Sequence, residues 1–217
     1  KETGKTLLVI RPLVSNVNNP QGNPEELYLD YTAILGGSFD PVHNGHLHIA
    51  NEILRLTDVS RVVFVPSGKH HFKQSDIQLD YLHRVDLLET VCAKHERFEV
   101  WDIDTPTQSG YTSDLLRQLY LEHPQQKFCF VIGSDNLAQL PRWHDFPWLA
   151  ANVEFLIIPR PEYPCPPSVL ESIRYKYLPC ELSPISSTLI RLKVRAHESI
   201  SGLVPPEIEP AIIRFYQ

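Results

Sequence analysis

Methionine is missing from all 217 residues, cysteine is held to four and glycine to nine, while proline reaches 19. Without methionine and with lysine first, the chain as written is not expected to begin at its translational start, because removal of an initiator methionine needs a small second residue. No C-x-x-C pair occurs among Cys92, Cys129, Cys165 and Cys180, which argues against a zinc ribbon or a dithiol redox motif. Cys92 and Cys129 sit inside apolar runs and read as small core residues, whereas Cys165 and Cys180 flank a proline-rich stretch and read as reduced thiols. No apolar run approaches the ~18 residues of a membrane span. No basic segment leads into an apolar one at the start, so no secretory leader is expected and the expected location is the cytoplasm. Positive charge is in the minority: 20 Lys and Arg against 26 Asp and Glu give a net charge of −6. That balance argues against a general electrostatic grip on nucleic acid and leaves room for a local basic pocket.

What is present is globular. Hydrophobic residues make up 42 % and charged residues 21 %, enough for one buried core without staples. Residues 1–30 read as a peripheral extension: a short apolar run at Thr6–Ile10, then loop chemistry through Pro12, Pro20, Gly22 and Pro24. From residue 31 to 217 the pattern is that of one domain. Strands are predicted at Tyr31–Leu35, Arg61–Val65, Phe98–Trp101, Lys127–Ile132 and Val153–Ile158. Helices are predicted at His46–Leu56, Leu79–Ala93, Thr112–Leu121, Ser186–Val194 and Pro205–Phe215, with Tyr163–Ser168 as a loop. Short, wholly apolar strands alternating with amphipathic helices predict an α/β fold, a doubly wound Rossmann-like parallel sheet with helices on both faces.

The segment Gly36–Ala50, GGSFDPVHNGHLHIA, joins the first predicted strand to the first helix. In a parallel sheet that junction is where ligands bind. Gly36 and Gly37 carry no side chain, so backbone N–H groups can approach a phosphate, and Ser38 adds a hydroxyl. His43 and His46 fall on one helix face, ~5–6 Å apart at Cβ, and with the helix N-terminus they form a donor set for an anion. His43, His46 and His48 could also be read as zinc ligands. His48 lies on another face, however, and no carboxylate stands at metalloprotease spacing.

Gly-Gly, Ser-Phe-Asp-Pro and H-x-G-H in this order resemble the H-x-G-H nucleotidyltransferase superfamily, and the extended form GGSFDPVHNGHL resembles its nicotinate-nucleotide (NaMN) adenylyltransferases. Ile185–Arg191, ISSTLIR, is similar to a second signature of that superfamily, about 140 residues downstream. There Ser186, Ser187 and Thr188 cap a helix and donate to phosphates, and Arg191 reaches the triphosphate one turn on. Phe130–Trp143, FVIGSDNLAQLPRW, is similar to the family's strand, G-x-D and tryptophan. The resemblance puts Gly133 and Asp135 at the nucleotide and stacks Trp143, with His144 beside it, on the pyridine ring. It places Tyr111 and Thr112 near the nicotinate group, although Gly110 interrupts the family's S-Y-T loop. It also sets Arg160 near the nucleotide and Lys73 near the phosphates, in a loop that lacks the family's Pro-Pro. Phe39 belongs to the phosphate-binding stretch on the same ground, and His83-Arg84 matches an H-R at a helix start.

The resemblance implies adenylyl transfer: ATP and NaMN give deamido-NAD (NaAD) and pyrophosphate. Catalysis falls to His43, His46 and Arg191, and Mg²⁺ is bound mainly through substrate phosphates rather than by protein ligands. No nucleic acid and no membrane partner is implied, and a homo-oligomer is compatible with the sequence. Alternatives stay open at this point. The acceptor could be nicotinamide mononucleotide or another phosphomonoester, the protein a non-catalytic nucleotide-binding regulator, or the histidines a zinc hydrolase site.

Overall fold

The computed structural model describes residues 31–69, 77–181 and 183–217. The extension 1–30 with its expected strand at Thr6–Ile10, and the loop carrying His70, His71 and Lys73, lie outside the described residues.

The strands are β1 (Tyr31–Gly37), β2 (Arg61–Pro66), β3 (Phe98–Val100), β4 (Lys127–Gly133), β5 (Glu154–Ile158) and β6 (Arg174–Tyr177). They form one parallel sheet in the order β3-β2-β1-β4-β5-β6, the doubly wound arrangement that the strand–helix alternation predicts. The helices are α1 (Asn44–Leu56), α2 (Tyr81–Cys92), α3 (Thr112–Glu122), α4 (Ser134–Leu137), α5 (Phe146–Asn152), α6 (Pro167–Leu170), α7 (Ser187–Arg195) and α8 (Glu209–Tyr216), with a 3₁₀ turn at Leu140–Arg142.

Two apolar clusters cover the two faces. One packs Leu47, Ala50 and Ile53 of α1, Leu88 of α2, Ile190 of α7 and Ile212 of α8 against Ala33, Val62 and Leu156. The other packs Leu116 and Leu119 of α3 and Leu149 of α5 against Ile34, Val63 and Phe155. Cys92 and Cys129 lie in the first cluster, where burial pushes their thiols up to about 12 and leaves them inert. Cys165 and Cys180 are free thiols.

Boundaries move where capping decides them. The helix expected from Leu79 starts at Tyr81, because Asp80 is its N-cap and accepts from the His83 N–H at 2.9 Å. The helix expected from Pro205 starts at Glu209, so the proline tolerated in the first turn is Pro210. Strand β6 went unpredicted for a physical reason. All four residues, RYKY, are exposed, so it carries no apolar signature, and it is held as an edge strand by pairing with β5 and by Lys176 Nζ on Glu154 Oε1 at 2.9 Å. The expected loop at Tyr163–Ser168 likewise runs into the single turn α6.

Candidate active site

The sheet opens where its winding reverses. β1 stays paired with β2 as far as Gly37↔Pro66, but its pairing with β4 stops at Ile34↔Phe130. Beyond that point the carboxyl ends of β1 and β4 part, and the N-terminus of α1 faces the crevice.

His43 is the N-cap of α1, in extended conformation, and His46 is its third helical residue. Their rings stack at 3.7 Å between centroids, as the i, i+3 spacing implies. The His43 backbone N–H donates to Nδ1 of His46 at 3.2 Å, which leaves the proton of a neutral His46 on Nε2. Among the described residues, Nδ1 of His43 is buried without a partner. Gly45 permits this arrangement, because a Cβ there would lie 3.0 Å from His43 Nδ1. Burial lowers the His43 pKa from 6.5 to about 4, and burial with the charges of His43 and Arg160 holds His46 well below its ordinary value. Both rings are therefore neutral at pH 7 and act as hydrogen-bonding groups, not fixed cations. An approaching polyanion would favour their charged forms.

The glycines of the motif also make room for aromatic rings. The space beside Gly36 holds the ring of Phe130 at 3.5 Å, and that beside Gly37 holds the ring of Phe39 at 3.1 Å. Phe39 itself has φ 48 and is 1 % exposed, wedged edge-on against His46 and Phe64. Its side chain supports the His46 ring from the core and does not face the crevice. Ser38 gives its carbonyl to the buried Arg84, which also donates to the carbonyls of Leu79 and Ser67. Arg84 thereby ties the exits of β1 and β2 to α2.

At the end of β4, Asp135 Oδ1 pairs with Arg160 Nε at 2.8 Å, directly over Gly133. A Cβ on Gly133 would come within 2.3 Å of that carboxylate oxygen, so only glycine leaves room for the pair. The Arg160 backbone N–H donates to Ser134 Oγ at 2.8 Å. On α7, Ser186 caps as its residue type predicts, its hydroxyl accepting from the Leu189 N–H at 3.2 Å. The Ser187 hydroxyl donates to the Pro41 carbonyl at 2.9 Å and so keeps only acceptor capacity toward a ligand. Arg191 donates through Nη1 to the Asp40 carbonyl at 2.6 Å and through Nη2 to Thr188 Oγ1 at 3.3 Å.

On the far side of β4, Tyr111 is the N-cap of α3, directly before Thr112, and stacks on His144 at 4.3 Å between centroids. Trp143 stands edge-on to Phe130 at 6.1 Å, so that one ring connects Gly36 to the tryptophan. The structure thus gathers His43, His46, Gly36, Gly133, Asp135 and Arg160 at the split, with Arg191 on one flank and Trp143, Tyr111 and His144 on the other. The sequence reading overlooked a cavity of about 360 Å³ beside α1, lined by Asn44, His48, Glu181, Ser183 and Ile185. His48 Nε2 lies 2.7 Å from the Glu181 carbonyl there. Its only sequence signal was the third histidine of the run. Among the described residues no three His, Cys, Asp or Glu side chains gather as a metal cage, and none of the helices is long and apolar enough to cross a membrane.

Residues 34–193 match the cytidylyltransferase-like family model. A relative from Geobacillus kaustophilus, named "Probable nicotinate-nucleotide adenylyltransferase", is 36 % identical over 177 residues, 79 % of this chain and 78 % of the relative. One of the same name from Clostridium novyi is 34 % identical over 181 residues, 79 % of this chain and 90 % of the relative. Among solved structures, the nicotinic acid mononucleotide adenylyltransferase of Plasmodium falciparum complexed with NaAD superposes with a TM-score of 0.72 at 23 % identity, covering 86 % of this chain and 96 % of that one, which speaks for the fold. The chain belongs to the cytidylyltransferase-like family and, within it, to the group of the nicotinate-nucleotide adenylyltransferases.

Proposed function

We propose that this protein transfers the adenylyl group of ATP to nicotinate mononucleotide, giving deamido-NAD and pyrophosphate. The observation that carries this reading is the stacked, neutral His43–His46 pair at a helix N-terminus, opening on the split between β1 and β4. The names of the relatives supply the acceptor.

A 5′-phosphate oxygen of the mononucleotide attacks the α-phosphorus of ATP. The new P–O bond forms as the bond to the bridging oxygen breaks, and the electron pair leaves with pyrophosphate. A phosphate monoester dianion needs no deprotonation, so the protein's task is orientation and charge stabilisation. His46, with its proton on Nε2, and His43 donate to the oxygens that gain charge at the α-phosphorus. Ser186, Thr188 and Arg191 hold the outer phosphates, with the backbone of Gly36 to Phe39 beside them and Lys73 as a further cation. Asp135 and Arg160 face the ribose and phosphate region over Gly133. The cavity lined by Asn44, His48 and Ile185 has room for the adenine base. Mg²⁺ would be held mainly by the phosphate oxygens of the substrate, where it would offset triphosphate charge beside Arg191. Trp143, Tyr111, Thr112 and His144 form the acceptor wall, where a cationic pyridine ring suits aromatic faces. The catalytic unit runs from residue 31 to 217 with 1–30 as an extension, and the protein works in the cytoplasm.

The test is pyrophosphate release with MgATP against a panel of phosphomonoesters. Release is expected with nicotinate mononucleotide at a higher kcat/KM than with the nicotinamide form. Preference for the amide would overturn the acceptor while leaving the chemistry, and no release with any phosphomonoester would overturn both.

A further inference from the structure

Asp40, the acidic residue of the Ser-Phe-Asp-Pro motif, is 2 % exposed and sits where four parts of the chain meet. Its Oδ1 accepts from the Leu79 backbone N–H at 2.9 Å and from the Tyr216 hydroxyl at 2.6 Å. Its Oδ2 accepts from the Gln78 backbone N–H at 2.9 Å and lies 3.4 Å from Arg191 Nη1. The same Nη1 makes its shorter bond, 2.6 Å, to the Asp40 carbonyl oxygen. The second cation near this carboxylate, Arg84, is turned onto backbone carbonyls of Leu79, Ser38 and Ser67.

We infer that Tyr216 is a positioning residue for the triphosphate site, acting through Asp40 on Arg191. The inference rests on the nucleotidyl-transfer reading above and extends it to a helix that carries none of the recognised motifs. A carboxylate buried this deeply needs its lone pairs filled. Three neutral donors, two from the backbone and the Tyr216 hydroxyl, occupy most of its roughly four acceptor sites, so Arg191 is held at the edge, 3.4 Å from Oδ2. Tyr216 is itself 4 % exposed, and burial together with Asp40 keeps its phenol protonated throughout the working range, so the donor is permanent. Remove that hydroxyl and Oδ1 is left short of a donor in a dry site. The nearest cation then closes on the carboxylate, and Arg191 is drawn off the line between Thr188 and the Asp40 carbonyl from which it reaches outward.

Tyr216→Phe keeps the ring and removes only the donor. Calorimetric binding of MgATP, without acceptor, is compared between wild type and Tyr216→Phe, alongside the separate KM values for MgATP and mononucleotide. The expected result is about a tenfold weaker MgATP affinity, the scale of one hydrogen bond to a charged group, with a matching rise in the KM for MgATP and an unchanged KM for the mononucleotide. Ile212→Val, a buried change on the same helix α8, lowers the thermal midpoint and leaves MgATP affinity as it was. The inference is overturned if Tyr216→Phe binds MgATP like wild type, if both KM values rise together, or if Ile212→Val weakens MgATP as much. Wild type that binds no MgATP defeats the nucleotidyl-transfer reading and this inference together, whereas wild-type binding with an unaffected Tyr216→Phe defeats this inference alone.

Discussion

The two sides of the crevice are held together by different means. On the β1 side, Asp40, Arg84, Arg191 and Tyr216 join segments as far apart in sequence as residues 38 and 216 through buried, mostly charged hydrogen bonds. On the β4 side, Tyr111, His144 and Trp143 lean on one another and on Phe130 through ring faces, and Tyr111 is 37 % exposed. The β1 side therefore behaves as part of the core, rigid and intolerant of change. The β4 side is a surface wall whose rings can shift at small cost. A rigid site suits a triphosphate whose in-line geometry must be met closely, and an adaptable wall suits recognition of a flat ring.

The difference is broken most directly at Asp40. Asp40→Ala leaves the buried Tyr216 hydroxyl and the Gln78 and Leu79 backbone N–H groups without their acceptor and removes the carboxylate beside Arg191. Chemical denaturation is expected to show a loss of ~3–5 kcal/mol, the scale for removing one partner of a buried charged network. Tyr111→Ala is expected to lose no more than ~1 kcal/mol by the same measurement. Equal losses at the two positions would erase the distinction.

Next in size is the histidine pair. His46→Ala is expected to lower kcat by ~10²–10³ with the fold intact, as for loss of one preorganised donor. Turnover near that of wild type, in a variant with a native circular dichroism spectrum, would remove His46 from the chemistry.

Acid should expose the cost of burying His43. Its folded pKa of about 4 lies below the ordinary 6.5, so between those values the unfolded chain binds more protons than the folded one. Stability is full above pH 6.5 and falls as pH drops toward 4, by ~3 kcal/mol from this residue. Urea unfolding at pH 7 and pH 4.5 measures it. His43→Gln should flatten that part of the profile, and an unchanged slope would show that other groups carry the acid sensitivity.

How far the sequence revealed all this depended on whether a feature was local. The apolar runs of β1, β2, β4 and β5 were readable because a parallel strand buried on both faces must be apolar throughout. The i, i+3 placement of His43 and His46 was readable for the same kind of reason, as was Ser186 at an N-cap. Asp40 stood in plain view inside a motif, but its partners are Gln78, Leu79, Arg191 and Tyr216, and no local period links those positions. Gly37 was readable only in part for a related reason: that the ring of Phe39 packs beside it is decided by where Phe39 turns, at φ 48. β6 escaped because edge strands are polar by necessity, and polarity reads as loop.

The smallest effect is expected at the aromatic wall, and it sharpens the comparison most finely. If Tyr111 and His144 act as one stacked surface, removing either ring should cost nearly as much as removing both. Tyr111→Ala and His144→Ala should each raise the KM for the mononucleotide severalfold and leave the KM for MgATP alone. The double variant should then fall short of the sum by ~0.5–1.5 kcal/mol, the coupling of an aromatic pair. Strict additivity would mean that the rings touch without cooperating, so the wall would be two independent contacts. A rise in the KM for MgATP would mean that the wall is mechanically joined to the Asp40 side after all, through Phe130, whose ring lies beside both Gly36 and Trp143.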